Sequence, residues 1–204
     1  VKVSTSSDAT SESNESVILT ATTTDTGVAN KNTDVNTVFF SGEIGKRSMS
    51  HKIGAYYSKL DITRLKQHLF SENEFIHFCK SSSEAAGNAY FIECNGISTN
   101  EAMQTIKKLE ETTGKKTGLV CFDYLQIMKP NDKKTRSEAE EISRISGDLR
   151  EMGKILPVIA VSNLTKEKDS TECPSAKELK GSSQIEYDAS VIYMLWRPDL
   201  NLKN

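Results

Sequence analysis

Cysteine is scarce in this 204-residue chain, and the four present, Cys79, Cys94, Cys121 and Cys173, are too far apart to make a C-x-x-C pair. Neither a zinc cluster nor a disulfide framework can be built on that spacing. Cys94 and Cys121 fall in apolar runs and read as core. Histidine is rarer still: His51, His68 and His77 lack the H-x-x-x-H spacing of a helical metal site, which excludes a zinc enzyme of that type. No apolar run approaches the ~20 residues needed to span a bilayer, and no charged-then-apolar signal opens the chain. The expectation is an intracellular, cytoplasmic protein with no membrane partner. An excess of one charge is missing too. A formal net charge of −2 argues against a protein that grips nucleic acid over its whole surface, while leaving local basic loops open.

What is present suits one globular domain: 36% hydrophobic and 26% charged residues over a length that can bury a core. The first sixteen residues, VKVSTSSDATSESNES, are polar and nearly devoid of large apolar side chains, and read as a disordered linker or tail. Residues 17–204 read as the single domain. β-type runs are expected at 16–22, 36–43, 89–94, 118–123, 157–163 and 190–196. Helical patterns fall at 46–60, at 61–69 with Asp61 as cap, at 72–87, from Ser98 to about 115, and from Ser137 to Leu156. A shorter one lies near Ile185. Ser98 and Glu101 have capping-box spacing. In the helix after Ser137, Ile142, Ile145, Leu149, Met152 and Leu156 recur at three and four residues and predict one buried stripe. Strands that are apolar throughout and alternate with helices predict a three-layer α/β fold around a mostly parallel sheet.

One run raises a chemical question. GLVCFDYLQIM, residues 118–128, ends a buried strand on Asp123, and an unpaired carboxylate in a core costs several kcal/mol. Either Asp123 caps a turn that leaves the strand, or it lies beyond the carboxyl end of a parallel strand, where α/β sheets bind ligands.

Three segments, VFFSGEI, then LVCFDYLQIM, then EISRISGDLREMGKILPVIAVSNLTKE leading into ELKGSSQIEYDASVIYMLWR, occur in this order and in matching strand and helix contexts. Together they resemble the RecA-type motor domain of the DnaB-type replicative DNA helicases, over roughly residues 38–197. The resemblance implies a P-loop NTPase-type fold and a role in DNA replication. It implies that Asp123 is the Walker B aspartate that holds Mg²⁺ with ATP, and that Glu43 is the catalytic glutamate that orients or deprotonates water. Asn163 stands where the family has a γ-phosphate-sensing glutamine, with the same amide on a shorter stem. Two polar loops correspond to those that track single-stranded DNA: one carries Lys129, Lys133, Lys134 and Arg136, the other Lys166, Lys168, Lys177 and Lys180. The plainer alternative is solvated lysine loops balanced by Asp132, Glu167 and Asp169.

The departures from the family concern the phosphate loop, G-x-x-x-x-G-K-[ST]. Its nearest counterpart is TTTDTGVA, residues 22–29, where Gly27 stands for the second glycine but Thr22, Val28 and Ala29 replace the first glycine, the lysine and the hydroxyl residue. Fourteen residues, 23–36, would have to supply loop, helix and return together, and the expectation is that the helix is gone. Two functions follow: an ATPase-deficient relative that engages a helicase ring, a loader or single-stranded DNA, or a fragment or divergent member of an active helicase that hydrolyses ATP to translocate on single-stranded DNA, in either case as a possible homo-oligomer.

Overall fold

The computed structural model describes residues 34–132, 137–164, 173–180 and 183–195. The expected tail, the strand expected at 16–22, the loop around Gly27, and Lys133, Lys134, Arg136, Lys166 and Lys168 lie outside the described residues. Four strands, β1 (Val35–Ser41), β2 (Ala89–Glu93), β3 (Lys116–Asp123) and β4 (Val158–Ala160), form one sheet in the order β2-β1-β3-β4, and every pairing is parallel. Parallel neighbours need crossovers. These are supplied by α1 (Lys46–Ser58), α2 (Ile62–Lys66) and α3 (Glu72–Ala86) between β1 and β2, by α4 (Thr99–Thr113) between β2 and β3, and by α5 (Glu138–Gly153) between β3 and β4. A one-turn helix, α6 (Gln184–Asp188), follows.

The period of two along the strands sends Val38 and Phe40 of β1 and Val120 and Phe122 of β3 to one face, where all four are fully buried. Phe40 stacks on Phe122, with ring centroids 5.2 Å apart. Ala102 and Ile106 of α4 and Ile142, Ile145, Leu149 and Met152 of α5 close over that face. The stripe read from the sequence is therefore the core of the domain, and Leu156 joins it from just beyond the helix. Phe39, Phe91 and Cys121 on the opposite face are half-buried, and burial pushes the Cys121 thiol up to about 12.

The predicted starts of the helices are present. The Ser98 hydroxyl accepts from the Glu101 amide while the Glu101 carboxylate accepts from the Ser98 amide, which satisfies two otherwise orphaned donors. Asp61 caps α2 through the Thr63 and Arg64 amides, which holds its carboxyl below the usual range. Ser137 caps α5, and that helix ends at Gly153 rather than Leu156.

Two expected strands differ. The run at 157–163 is a strand only over Val158–Ala160, because the chain beyond turns to meet the segment after β3: Val161 carbonyl accepts from the Leu125 amide at 2.8 Å. Residues 190–195 are not a strand at all, and Val191 and Tyr193 are 65% and 59% exposed. An apolar run becomes a strand only with a neighbour to complete its ladder, and among the described residues none lies alongside.

Candidate functional site

Because β1, β3 and β4 are adjacent and parallel, their carboxyl ends emerge side by side. Ser41 pairs with Asp123, and Phe122 with Ala160, so Asp123 stands level with the end of β1. Asp123 is 5% exposed. Burial raises its carboxyl pKa above the ordinary range, the nearby Glu43 carboxylate raises it further, and the Lys52 ammonium on α1 works the other way. Glu43 and Asp123, predicted from separate segments, are thus close enough to repel. Lys52 was not anticipated from sequence; it looks like any polar-face lysine until the fold brings α1 over the sheet edge.

The turn that carries Glu43 is held from both sides. The Ser41 hydroxyl donates to the Ile44 carbonyl at 2.8 Å and accepts from the Ile44 amide at 3.2 Å. The Gly42 amide donates to the Asp123 carbonyl at 2.9 Å, extending the β1–β3 ladder by one step. A Cβ on residue 42 would fall 1.8 Å from Ile127 Cδ1 and 3.2 Å from the Cys94 carbonyl oxygen. A side chain here would have to displace Ile127 and press on the Cys94 carbonyl, so glycine suits the tight passage from which Glu43 leaves the strand. The Asp123–Tyr124 peptide bond is cis.

This donor set fits a magnesium ion on the protein side. Mg²⁺ uses one or two carboxylates, keeps several waters and takes its other ligands from phosphate. A buried aspartate beside a second carboxylate, with one lysine as counter-charge, would be relieved by a divalent cation. Among the described residues no cluster of three or more His, Cys, Asp or Glu side chains forms an all-protein metal cage. The phosphate-loop residue predicted to complete the site, Gly27, lies outside the described residues.

The bases of the two predicted DNA loops are anchored differently. Lys129 is exposed; its amide donates to the Ile97 carbonyl at 3.0 Å, and its stem crosses Gly96, whose φ of +73° and missing Cβ leave the room it needs. Asn131 pins the first loop between two helices: its amide donates to Asp148 at 2.8 Å, its side-chain nitrogen donates to Thr99 at 2.8 Å, and its side-chain oxygen accepts from the Asn100 amide at 3.0 Å. Asp132 pairs with Arg144 at 3.0 Å.

The second loop closes on itself. Leu164 and Leu179 form an antiparallel bridge, and the Lys180 amide donates to the Asn163 carbonyl at 2.9 Å. Lys177 is exposed in a short 3-10 turn, Ala176–Glu178. The Lys180 ammonium lies 3.7 Å from Glu138 at the start of α5, just after the first loop, and both side chains are largely in solvent, so the pair itself contributes little. Asp123, Glu43, Asn163 and Lys180 therefore share one edge of the sheet. Lys129 lies apart, against the β2–α4 connection.

The sequence matches the family described as DnaB-like helicase C terminal domain over residues 16–204. Among curated proteins it is 25% identical over 172 residues to the replicative DNA helicase DnaC of Bacillus subtilis, covering 82% of this chain and 37% of that protein. It is 30% identical over 167 residues to a probable plasmid replicative DNA helicase of Chlamydia psittaci, covering 79% of this chain and 36% of that protein. The chain thus spans little more than a third of the length of these relatives. Its fold superposes on a DnaB-like replicative helicase whose structure was described with its interactions with primase, at a TM-score of 0.74 and 25% identity, covering 85% of this chain and 43% of that one.

Proposed function

The chain belongs to the family of DnaB-like helicase C-terminal domains, and on that premise we propose that it acts in DNA replication as a helicase-type domain that engages single-stranded DNA without hydrolysing ATP on its own. In this proposal residues 17–204 make one RecA-like unit after a linker or tail. The observation that carries the reading is the convergence at one sheet edge of Asp123, Glu43, Asn163 and the stem of a lysine-bearing loop. Loop ammonium and guanidinium groups suit phosphate contacts that position a strand without reading its sequence. A second copy of the chain, a helicase ring or a ring loader is the protein partner that this surface would meet.

The weak point for catalysis is the phosphate loop. A lysine and a helix N-terminus supply most of the attraction for a triphosphate, and Val28 and Ala29 replace the lysine and hydroxyl of the motif. Mg²⁺ with ATP, where bound, would supply an activated phosphoryl group. Asp123 would hold the metal's waters, and Glu43, freed by the Gly42 turn, would orient or deprotonate a water. The retained carboxylate pair favours a second reading, a divergent ATP-driven helicase whose nucleotide site is completed across a subunit interface.

Single-strand binding tests the DNA reading. Neutralising Lys133, Lys134 and Arg136 together is expected to weaken binding of a labelled oligothymidylate and to reduce the slope of log affinity against log salt by roughly 2, at about 0.7 per lost phosphate contact. A triple variant with unchanged affinity and slope would remove these residues from the interface.

A further inference from the structure

Gln126 sits three residues past Asp123, in the 3-10 turn Leu125–Ile127, and it reaches across to the far loop with both ends of its amide. Its nitrogen donates to the Ser162 hydroxyl at 2.8 Å and to the Lys180 carbonyl at 2.9 Å. Its oxygen accepts from the Asn163 amide at 3.1 Å. The orientation of the side-chain amide is not ambiguous, since a backbone carbonyl can only accept and a backbone N–H can only donate. These partners lie 36 to 54 residues away in sequence. They are the two strands of the second loop's stem: Asn163 on the outgoing side, Lys180 on the returning side, themselves joined by the Lys180 amide to the Asn163 carbonyl.

We propose that Gln126 is a positioning residue that clamps the stem of the basic Lys177/Lys180 loop to the Asp123 turn, and so sets the affinity of that loop for single-stranded DNA. The proposal rests on the DNA-binding reading above and adds to it a residue that touches neither phosphate nor metal. The stem gains little from its own residues, because among the described residues it is the single Leu164/Leu179 bridge, of which the Lys180 amide to Asn163 carbonyl bond is a part. A side chain that ties both sides to a turn already hydrogen-bonded to Val161, just past β4, removes that freedom before any ligand arrives, and preordering of this kind is what lets exposed lysines hold a phosphate chain. The same clamp makes the Asp123 edge and the lysine loop one mechanical unit.

The test has two arms on the full chain. Hydrogen exchange reads the clamp: in Gln126→Ala the Asn163 amide, which donates to Gln126, should exchange about fivefold or more faster, the factor expected from one net hydrogen bond, and the Lys180 amide, held by the Asn163 carbonyl, should loosen with the stem, while amides of β1 and β3 keep their protection. Gln126→Glu separates the two ends. It can still accept from the Asn163 amide but sets a carboxylate against the Lys180 carbonyl, so Asn163 should stay protected while Lys180 loosens. Fluorescence anisotropy with a labelled oligothymidylate reads the consequence, an affinity about fivefold weaker in Gln126→Ala with a salt slope unchanged from wild type, because no phosphate contact is deleted. Unchanged exchange at Asn163 and Lys180 overturns the clamp, as does a loosened stem that leaves DNA affinity intact. A wild-type chain that binds no oligothymidylate sinks the DNA-binding reading and with it the clamp's effect on affinity, and the exchange arm then decides the clamp alone.

Discussion

Asp123 is kept at a thermodynamic cost that a titration can expose. Its folded pKa lies above the ordinary value of 3.8, chiefly through burial and then through Glu43. A raised carboxyl binds its proton more tightly in the folded state than in the unfolded one. The stability it contributes is therefore full below about pH 3.8 and is lost as pH rises through the folded value. Asp123→Asn, which cannot ionise, should melt at a higher temperature than wild type at pH 7, and the two melting curves should converge below pH 3.8; thermal unfolding by circular dichroism across pH checks this. Lys52 acts in the opposite direction, and Lys52→Met should move the Asp123 carboxyl further up, readable by carbon-detected NMR titration. An unmoved titration would mean that the lysine does not face the pair. Asp123 itself was legible in the sequence as a charge at the end of an apolar run. Lys52 and Gln126 were not, because what distinguishes each is a partner supplied by another element, and no local spacing encodes it.

Among the elements, the turn after β1 is the narrowest fit. Gly42 lies where a Cβ would overlap Ile127 Cδ1, and the Cys94 carbonyl closes the other side. Gly42→Ala should destabilise the fold by about 1–3 kcal/mol, the usual cost of overpacking, and Ile127→Val in the same chain should recover part of it by removing the Cδ1 methyl. Chemical denaturation of the single and double variants measures both. Helices were the more legible class, since their caps and stripes are local: the S-T-N-E signature marked the start of α4, and the Ile142/Ile145/Leu149/Met152 spacing marked the buried face of α5. Strands were less so. Residues 190–195 have the composition of a strand and no strand partner among the described residues, because a ladder is a relation between segments and composition describes only one of them.

At the scale of the whole molecule, a domain with almost no net charge brings Asp123 and Glu43 together at the carboxyl ends of a parallel sheet that has four strands among the described residues. Sequence order alone carried that much, since β–α alternation implies parallel strands and parallel strands place their carboxyl ends together. On the proposed reading, what would set this chain apart from an ATP-driven motor is Val28 and Ala29 standing in place of the phosphate-loop lysine and hydroxyl, beside Asp123 and Glu43. The most direct measurement is titration calorimetry of the purified chain with Mg²⁺ and a non-hydrolysable ATP analogue, beside an Asp123→Ala control. The account predicts no saturable heat up to millimolar nucleotide in either protein. Micromolar binding by the wild type that disappears in the control would contradict it, and would return the chain to the class of nucleotide-driven motors.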